Sequence, residues 1–215
     1  MRIYLTTNKD SWFDVVSLPE GLAQQARERF NEISSLSEGF EDEVIIFNKA
    51  TQEYENKKIF RQYKSFLTVP GFDPNTKKSY MFSGSRESTT SASVPSILEP
   101  FCSYLKAIDP AYNQLVVNYY QDGAAYIEPH SDCTAKLLPQ SDIAIITVNE
   151  GETERELTIT ARTEGSILQS PLKIRLCNNL MFIMGGDFQK NFRHGIESDI
   201  SHQDRRLSFT FRKVA

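Results

Sequence analysis

Apolar positions early in the chain recur at helical spacing. Leu22, Ala26, Phe30 and Ile33 fall at i, i+4, i+8 and i+11, which predicts a helix from Pro19 to Ser35 with the proline in its first turn. Ile97, Leu98, Phe101, Leu105 and Ile108 predict a second helix from Pro95 to Ile108. Between the two, the Ser- and Thr-rich stretch from Ser83 to Ser96 reads as a loop. Beyond Pro110 the texture changes to short runs of β-branched and aromatic residues. Leu115 to Tyr120 is the first, followed by the turn Gln121-Asp122-Gly123. Asp142 to Val148, Glu156 to Thr160, Lys173 to Leu176, Leu180 to Met184 and Arg206 to Arg212 follow. Strands at this spacing after helices predict an α+β architecture with a β-barrel or jelly-roll core.

Length changes this picture little: 215 residues suit one sizeable core and are short for two. No run approaches the roughly 18 apolar residues of a membrane span. The first ten residues lack the apolar core of a secretion signal, so the expected address is cytoplasm or nucleus. Cys102, Cys133 and Cys177 are odd in number and without C-x-x-C spacing, which argues against a disulfide framework or a zinc knuckle. The net charge of −4 does not by itself suggest a nucleic-acid partner, but its distribution is uneven. Residues 38–55 hold six acids and one lysine, whereas residues 57–86 hold seven bases and one acid. A charge run is usually a solvated face.

The candidate chemistry rests on histidine, of which there are three: His130, His194 and His202. His130-Ser131-Asp132 is an H-x-D pair, and in extended chain residues two apart project to the same side. With His194 from another strand, two imidazoles and a carboxylate can occupy one face of a metal and leave positions open, the geometry of non-haem Fe(II) oxygenases. His202 is expected to be a surface residue and not a ligand. In Arg206-Leu207-Ser208-Phe209-Thr210-Phe211-Arg212, polar and apolar residues alternate strictly, so one face carries two arginines. Turned inward, a guanidinium requires an anion, and a dicarboxylate is a fitting one. The competing reading is an edge strand with solvated arginines.

The stretch from Asn118 through Tyr120, Asp122-Gly123 and Ile127 to His130-Ser131-Asp132 resembles the N-x-Y-x-D-G…I-x-x-H-x-D pattern of the AlkB-like 2-oxoglutarate oxygenases. Leu180 to Gly186 leading to His194, the Arg206 to Arg212 strand, and Tyr80-Met81-Phe82-Ser83-Gly84 are similar to further elements of that family, in the same order. The resemblance runs from about Phe60 to Arg212; the first fifty residues add nothing to it. It implies a double-stranded β-helix with flanking N-terminal helices and a substrate lid. One domain would span 1–215, with the helix and lid region to about residue 94 and the core beyond. It implies Fe(II) on His130, Asp132 and His194. The distal carboxylate of 2-oxoglutarate would meet Arg206 and Tyr120, with Asn118, Ser208 and Arg212 also around the co-substrate, and with O2 as oxidant. Tyr80, Phe82, Ser83 and Cys133 would meet the substrate, with Phe82 stacking on a flipped or single-stranded base.

The implied activity is oxidative N-demethylation of alkylated DNA or RNA bases, in repair or in removal of base modifications, by a monomer without a membrane partner. Two departures bear on substrate. Cys133-Thr134-Ala135-Lys136 stands where the family usually has acids, and Thr147 to Arg155 matches the S-x-G-x-x-R element only loosely. A hydroxylase of protein or small molecules is the alternative within the class, and a non-catalytic β-barrel binding module the alternative outside it.

Overall fold

A computed structural model describes residues 1–48, 50–68, 91–151 and 154–215. The elements run β1 (Arg2–Tyr4), β2 (Ser11–Ser17), α1 (Glu20–Glu28), α2 (Phe30–Ser35), β3 (Glu41–Asn48), β4 (Glu53–Leu67), β5 (Ser91–Ser93), α3 (Glu99–Ile108) and β6 (Gln114–Tyr120). They continue with β7 (Ile127–His130), β8 (Ile143–Asn149), β9 (Glu156–Ala161), β10 (Leu172–Arg175), β11 (Leu180–Gly186), α4 (Phe188–Asn191), β12 (Phe192–Ile196) and β13 (Arg206–Arg212). Among the described residues the strands form two sheets. The larger has the order β1-β2-β11-β8-β13-β6-β4-β3, with β5 parallel to β4; the smaller has the order β10-β9-β12-β7. Apart from β4 and β5, all paired strands are antiparallel. This is the double-stranded β-helix expected from the chain.

Alternation along the central strands explains the layering. On β13, Leu207, Phe209 and Phe211 join one apolar cluster together with Leu115 and Val117 of β6 and Ala144, Ile146 and Val148 of β8. Leu22, Ala26, Phe30, Ile33, Phe101 and Leu105 of the helices pack against this face. The other face meets the smaller sheet, where Ile143, Ile145, Phe182 and Met184 pack against Leu157, Ile159, Phe192 and Ile196. Strands β6, β8 and β13 are buried along their whole length because helices cover one side and a sheet the other. Polar residues pointing into the inter-sheet space are therefore held in a dry environment, where each needs a partner.

Part of the stretch read as a loop, Ser91–Ser93, forms β5 against β4, and both predicted helices depart from their expected form. The first predicted helix is broken at Arg29 into α1 and α2, and the second starts as a 3₁₀ turn at Ser96–Leu98 before α3. The larger gap lies upstream. The acidic run contains β3 and the basic run begins in β4, and the two strands form a hairpin in which Glu43 faces Lys58 and Ile46 faces Glu55. That hairpin joins the main sheet through β4 and β6. The contrasting charge runs are thus partly a cross-strand pattern. No helix is long and apolar enough to cross a membrane among the described residues.

Candidate metal and co-substrate site

His130 ends β7 and His194 lies in the middle of β12, and the two are direct partners in the antiparallel pair. Pairing brings residues far apart in sequence to a ring-centroid separation of 4.5 Å. The chain leaves β7 at once: Ser131 Oγ donates to the Phe192 carbonyl (2.7 Å) and the Asp132 amide donates to Gln189 Oε1 (2.8 Å). These bonds turn Asp132 back under the histidines, so His130, Asp132 and His194 offer three ligand atoms all within 4.8 Å of one another. Gly195 is needed beside His194, because a Cβ there would lie 2.7 Å from the Ile127 carbonyl oxygen.

The protonation states suit a metal. His130 Nδ1 lies 2.9 Å from the Glu128 carbonyl. A carbonyl only accepts, so Nδ1 carries the proton and Nε2, 4.0 Å from Asp132 Oδ1, is left as the ligand atom. Burial lowers the His130 imidazole, and nearby Arg61 lowers it further against the pull of Asp132. Burial and then His130 bring His194 down to about 3. Burial pushes the Asp132 carboxyl up, but Arg212 with both histidines outweighs it and holds the group below the usual carboxylate range. Neutral imidazoles and an ionised carboxylate are the forms that bind a divalent cation.

The arginine strand points as its alternation predicts. Arg206, Ser208, Thr210 and Arg212 line a cavity of about 570 Å³, open mouth included, that reaches the three candidate ligands. Arg206 is 2 % exposed, and its Nη2 donates to Thr147 Oγ1 (3.1 Å). Its Nε and Nη1 have no hydrogen-bond partner among the described residues. Burial lowers its pKa, offset in part by Tyr120, whose ring centroid lies 4.7 Å from the guanidinium carbon. A buried guanidinium with two nitrogens unanswered, in a cavity whose remaining walls are largely apolar, fits a carboxylate. Arg212 is engaged differently: its Nη2 donates to Asp132 Oδ1 (2.7 Å). Asn118 and Tyr120 line the same cavity from β6, and Asn118 Nδ2 donates to Ser208 Oγ (3.3 Å).

Other expected residues fall elsewhere. Cys133 is half-buried and is not among the residues lining this cavity. Tyr80, Phe82 and Ser83 lie outside the described residues. His202 is half-buried rather than exposed, with Nδ1 2.8 Å from Asp199 Oδ2, and is not part of the His130–Asp132–His194 group.

Three site residues escaped sequence reasoning. Thr147, the partner of Arg206, is a polar residue in an otherwise Ile-rich strand, and that contrast was the available signal. Arg155 is buried and ties the loops together by donating to the carbonyls of Ala125 (2.6 Å) and Glu197. Arg61 on β4 donates through Nε to Asn118 Oδ1 (2.9 Å) and lines both the cavity and a groove outside it. That groove, about 770 Å³ in volume, runs between the β3–β4 hairpin and β7 and reaches His130. Phe60 and Tyr126 stack in its wall, centroids 4.4 Å apart and planes 16° from parallel.

A jelly-roll of this topology with a His-Asp-His group and a buried arginine lining one cavity is the arrangement of an iron-dependent oxygenase. The chain belongs to the 2OG-Fe(II) oxygenase superfamily, whose family model it matches over residues 16–212. It is an Fe(II)- and 2-oxoglutarate-dependent dioxygenase that consumes O2. Among solved structures, a Pseudomonas putida prolyl-4-hydroxylase superposes with a TM-score of 0.54 at 13% identity, covering 94% of this chain and 93% of that one. At that identity the likeness speaks for the fold. No curated protein sequence matches the chain.

Proposed function

We propose that this oxygenase is AlkB-like and removes N-linked methyl groups from alkylated bases of DNA or RNA. His130, Asp132 and His194 would hold the iron, and Arg206 with Thr147 and Tyr120 the distal carboxylate of 2-oxoglutarate. When bound, iron and co-substrate supply oxidation of a C–H bond by O2, with release of succinate and CO2. An N-methyl carbon gains a hydroxyl, the N–C bond breaks, formaldehyde leaves and the ring N–H returns. The chain's own task is positional. Arg212 fixes the carboxylate of Asp132, the Glu128 carbonyl fixes the His130 tautomer, and the apolar walls around Ile145, Leu157 and Phe182 keep water from the reacting carbon.

The observation that carries the nucleic-acid reading is the groove beside His130. Lys57, Lys58 and Arg61 line it together with the stacked Phe60 and Tyr126, and Phe60 is 52 % exposed. Cations that can follow phosphates next to an aromatic face that can take a base are the two parts of a single-strand binding surface. The test is turnover. Single-stranded oligonucleotides carrying one methylated base are expected to yield formaldehyde and succinate in equal amounts, and a plain oligonucleotide is expected to yield neither above background.

Hydroxylation of a peptide is the second reading. Val44, Ile46 and Ile59 make part of the groove apolar, and the structurally similar protein is titled a prolyl-4-hydroxylase. Proline-containing peptides in the same assay distinguish the two, since hydroxylation of a ring carbon releases succinate without formaldehyde.

A further inference from the structure

Asp132 sits where regular strand pairing stops. β7 ends at His130, and the chain next pairs as a β-bridge at Leu137, opposite Val214. Between these points the Asp132 amide donates to a side chain, Gln189 Oε1, at 2.8 Å. A main-chain N–H can only donate, so the Gln189 amide group must present its oxygen here and its nitrogen elsewhere. The nitrogen has a place to go: Nε2 donates to Met184 Sδ at 3.5 Å, a weak acceptor on a buried side chain. Both ends of the amide group are answered, and its orientation is fixed by chemistry.

Gln189 can serve as a fixed post because the turn that carries it, α4, is braced from both sheets. The Asp187 amide donates to the Asp10 carbonyl (2.7 Å) and Asn191 Nδ2 to Ser11 Oγ (2.9 Å), which ties α4 to the start of β2 in the larger sheet. The Arg162 amide donates to the Asn191 carbonyl (2.8 Å), which ties it to the end of β9 in the smaller one. Arg162 Nη1 also donates to the Gln189 carbonyl (3.3 Å) and to Ser131 Oγ (3.0 Å), bracing the turn against the His130-Ser131-Asp132 segment. Phe188 is fully buried, its ring edge-on to His194 with centroids 6.1 Å apart. One turn of helix therefore touches two of the three candidate ligands, His194 through the Phe188 ring and Asp132 through the Gln189 side chain.

We infer that Gln189 is a positioning residue for the metal centre: it holds the main chain of Asp132 so that the carboxylate meets the two imidazoles. The inference rests on His130, Asp132 and His194 being the iron ligands and is independent of whether the substrate is a base or a peptide. Arg212 and Gln189 divide the task. Arg212 fixes a carboxylate oxygen through a charged hydrogen bond. Gln189 fixes, through a neutral one, the backbone from which that carboxylate springs. Groups that orient a metal ligand govern the affinity of the site as well as its shape.

The test uses Gln189→Met, which keeps the length of the side chain and removes the acceptor, and Gln189→Glu, which keeps an acceptor. Met184→Leu removes only the partner of Nε2, and Asp132→Ala is the reference for a lost ligand. Anaerobic titration with Fe(II) gives the affinity, and the ligand-field absorption of the Co(II)-loaded protein reports the symmetry of the metal site. Gln189→Met is expected to weaken Fe(II) binding about 10- to 100-fold and to change the shape of the Co(II) spectrum. Gln189→Glu and Met184→Leu are expected to keep the spectrum of the unaltered protein. Should Gln189→Met not fold, Gln189→Ala carries the same expectation, since the position is half-buried. A lowered melting temperature in these variants with an unchanged Co(II) spectrum marks a role in the fold alone and overturns the inference. A changed spectrum that Gln189→Glu fails to restore overturns the assignment to the acceptor oxygen. Iron bound as tightly by Asp132→Ala as by the unaltered protein overturns the ligand assignment, and this inference with it.

Discussion

Arg212 Nη2 donates to Asp132 Oδ1 at 2.7 Å, both side chains almost wholly buried. The same carboxylate oxygen lies 4.0 Å from His130 Nε2. One end of the arginine strand is therefore wired to the candidate metal group, while the other end, at Arg206, lines the same cavity. Replacing Arg212 with Gln is expected to weaken Fe(II) affinity about 10- to 100-fold, the usual consequence of removing a group that orients a metal ligand. Anaerobic iron titration measures this, and an unchanged affinity would reduce the pair to a fold element.

Arg206 has two nitrogens that nothing described in the protein satisfies. Removing one partner of a buried charge pair costs about 3–5 kcal/mol. Arg206→Ala is expected to raise the 2-oxoglutarate concentration for half-saturation by roughly a hundredfold or more, with iron still bound. Should the requirement stay put, the co-substrate anchor must be sought elsewhere, first at Arg212.

His202 and His194 separate a ligand from a bystander. The His202 pair with Asp199 is partly exposed, so His202→Ala is expected to cost no more than about 1 kcal/mol of stability and to leave iron content intact. His194→Ala is expected to abolish stoichiometric iron binding. Metal analysis of the two purified variants decides it, and the reverse result would refute the ligand assignment.

Phe60 is half-exposed and stacked on Tyr126, so its loss has little to unpack. If it receives a base, Phe60→Ala should weaken oligonucleotide binding about tenfold, since base–aromatic stacking is worth roughly 1–3 kcal/mol. The melting temperature should barely move. Binding of the unaltered protein should also fall steeply with added salt. A salt-insensitive interaction, or a large loss of stability in Phe60→Ala, would favour the peptide reading.

Legibility followed the range of the forces involved. The arginine strand was readable because its alternation separates a polar from an apolar face, and the Leu115 to Tyr120 strand because β-branched and aromatic residues cluster there ahead of a turn. His130 and Asp132 were readable because they are two residues apart and histidine is scarce. The β3–β4 hairpin was not: its charges are bunched, as in Glu41-Asp42-Glu43 and Lys57-Lys58, and look from within like charge runs, while their meaning lies in cross-strand pairs such as Glu43 with Lys58. The helix break at Arg29 was also hidden under an uninterrupted apolar spacing.

From the chain alone came the jelly-roll class, the inward face of Arg206 to Arg212, and the three candidate ligands, because each is written in local periodicity or in the rarity and spacing of particular side chains. Folding decided which residues answer one another. The register of β7 with β12 sets His194 against His130, the end of β13 brings Arg212 to Asp132, and the pairing of β4 with β6 delivers Arg61 to Asn118 at the mouth of the cavity. These contacts join positions 64, 80 and 57 residues apart. No local pattern encodes them, because they come into being only when the sheets pair and close and the buried charges must find partners where water no longer reaches.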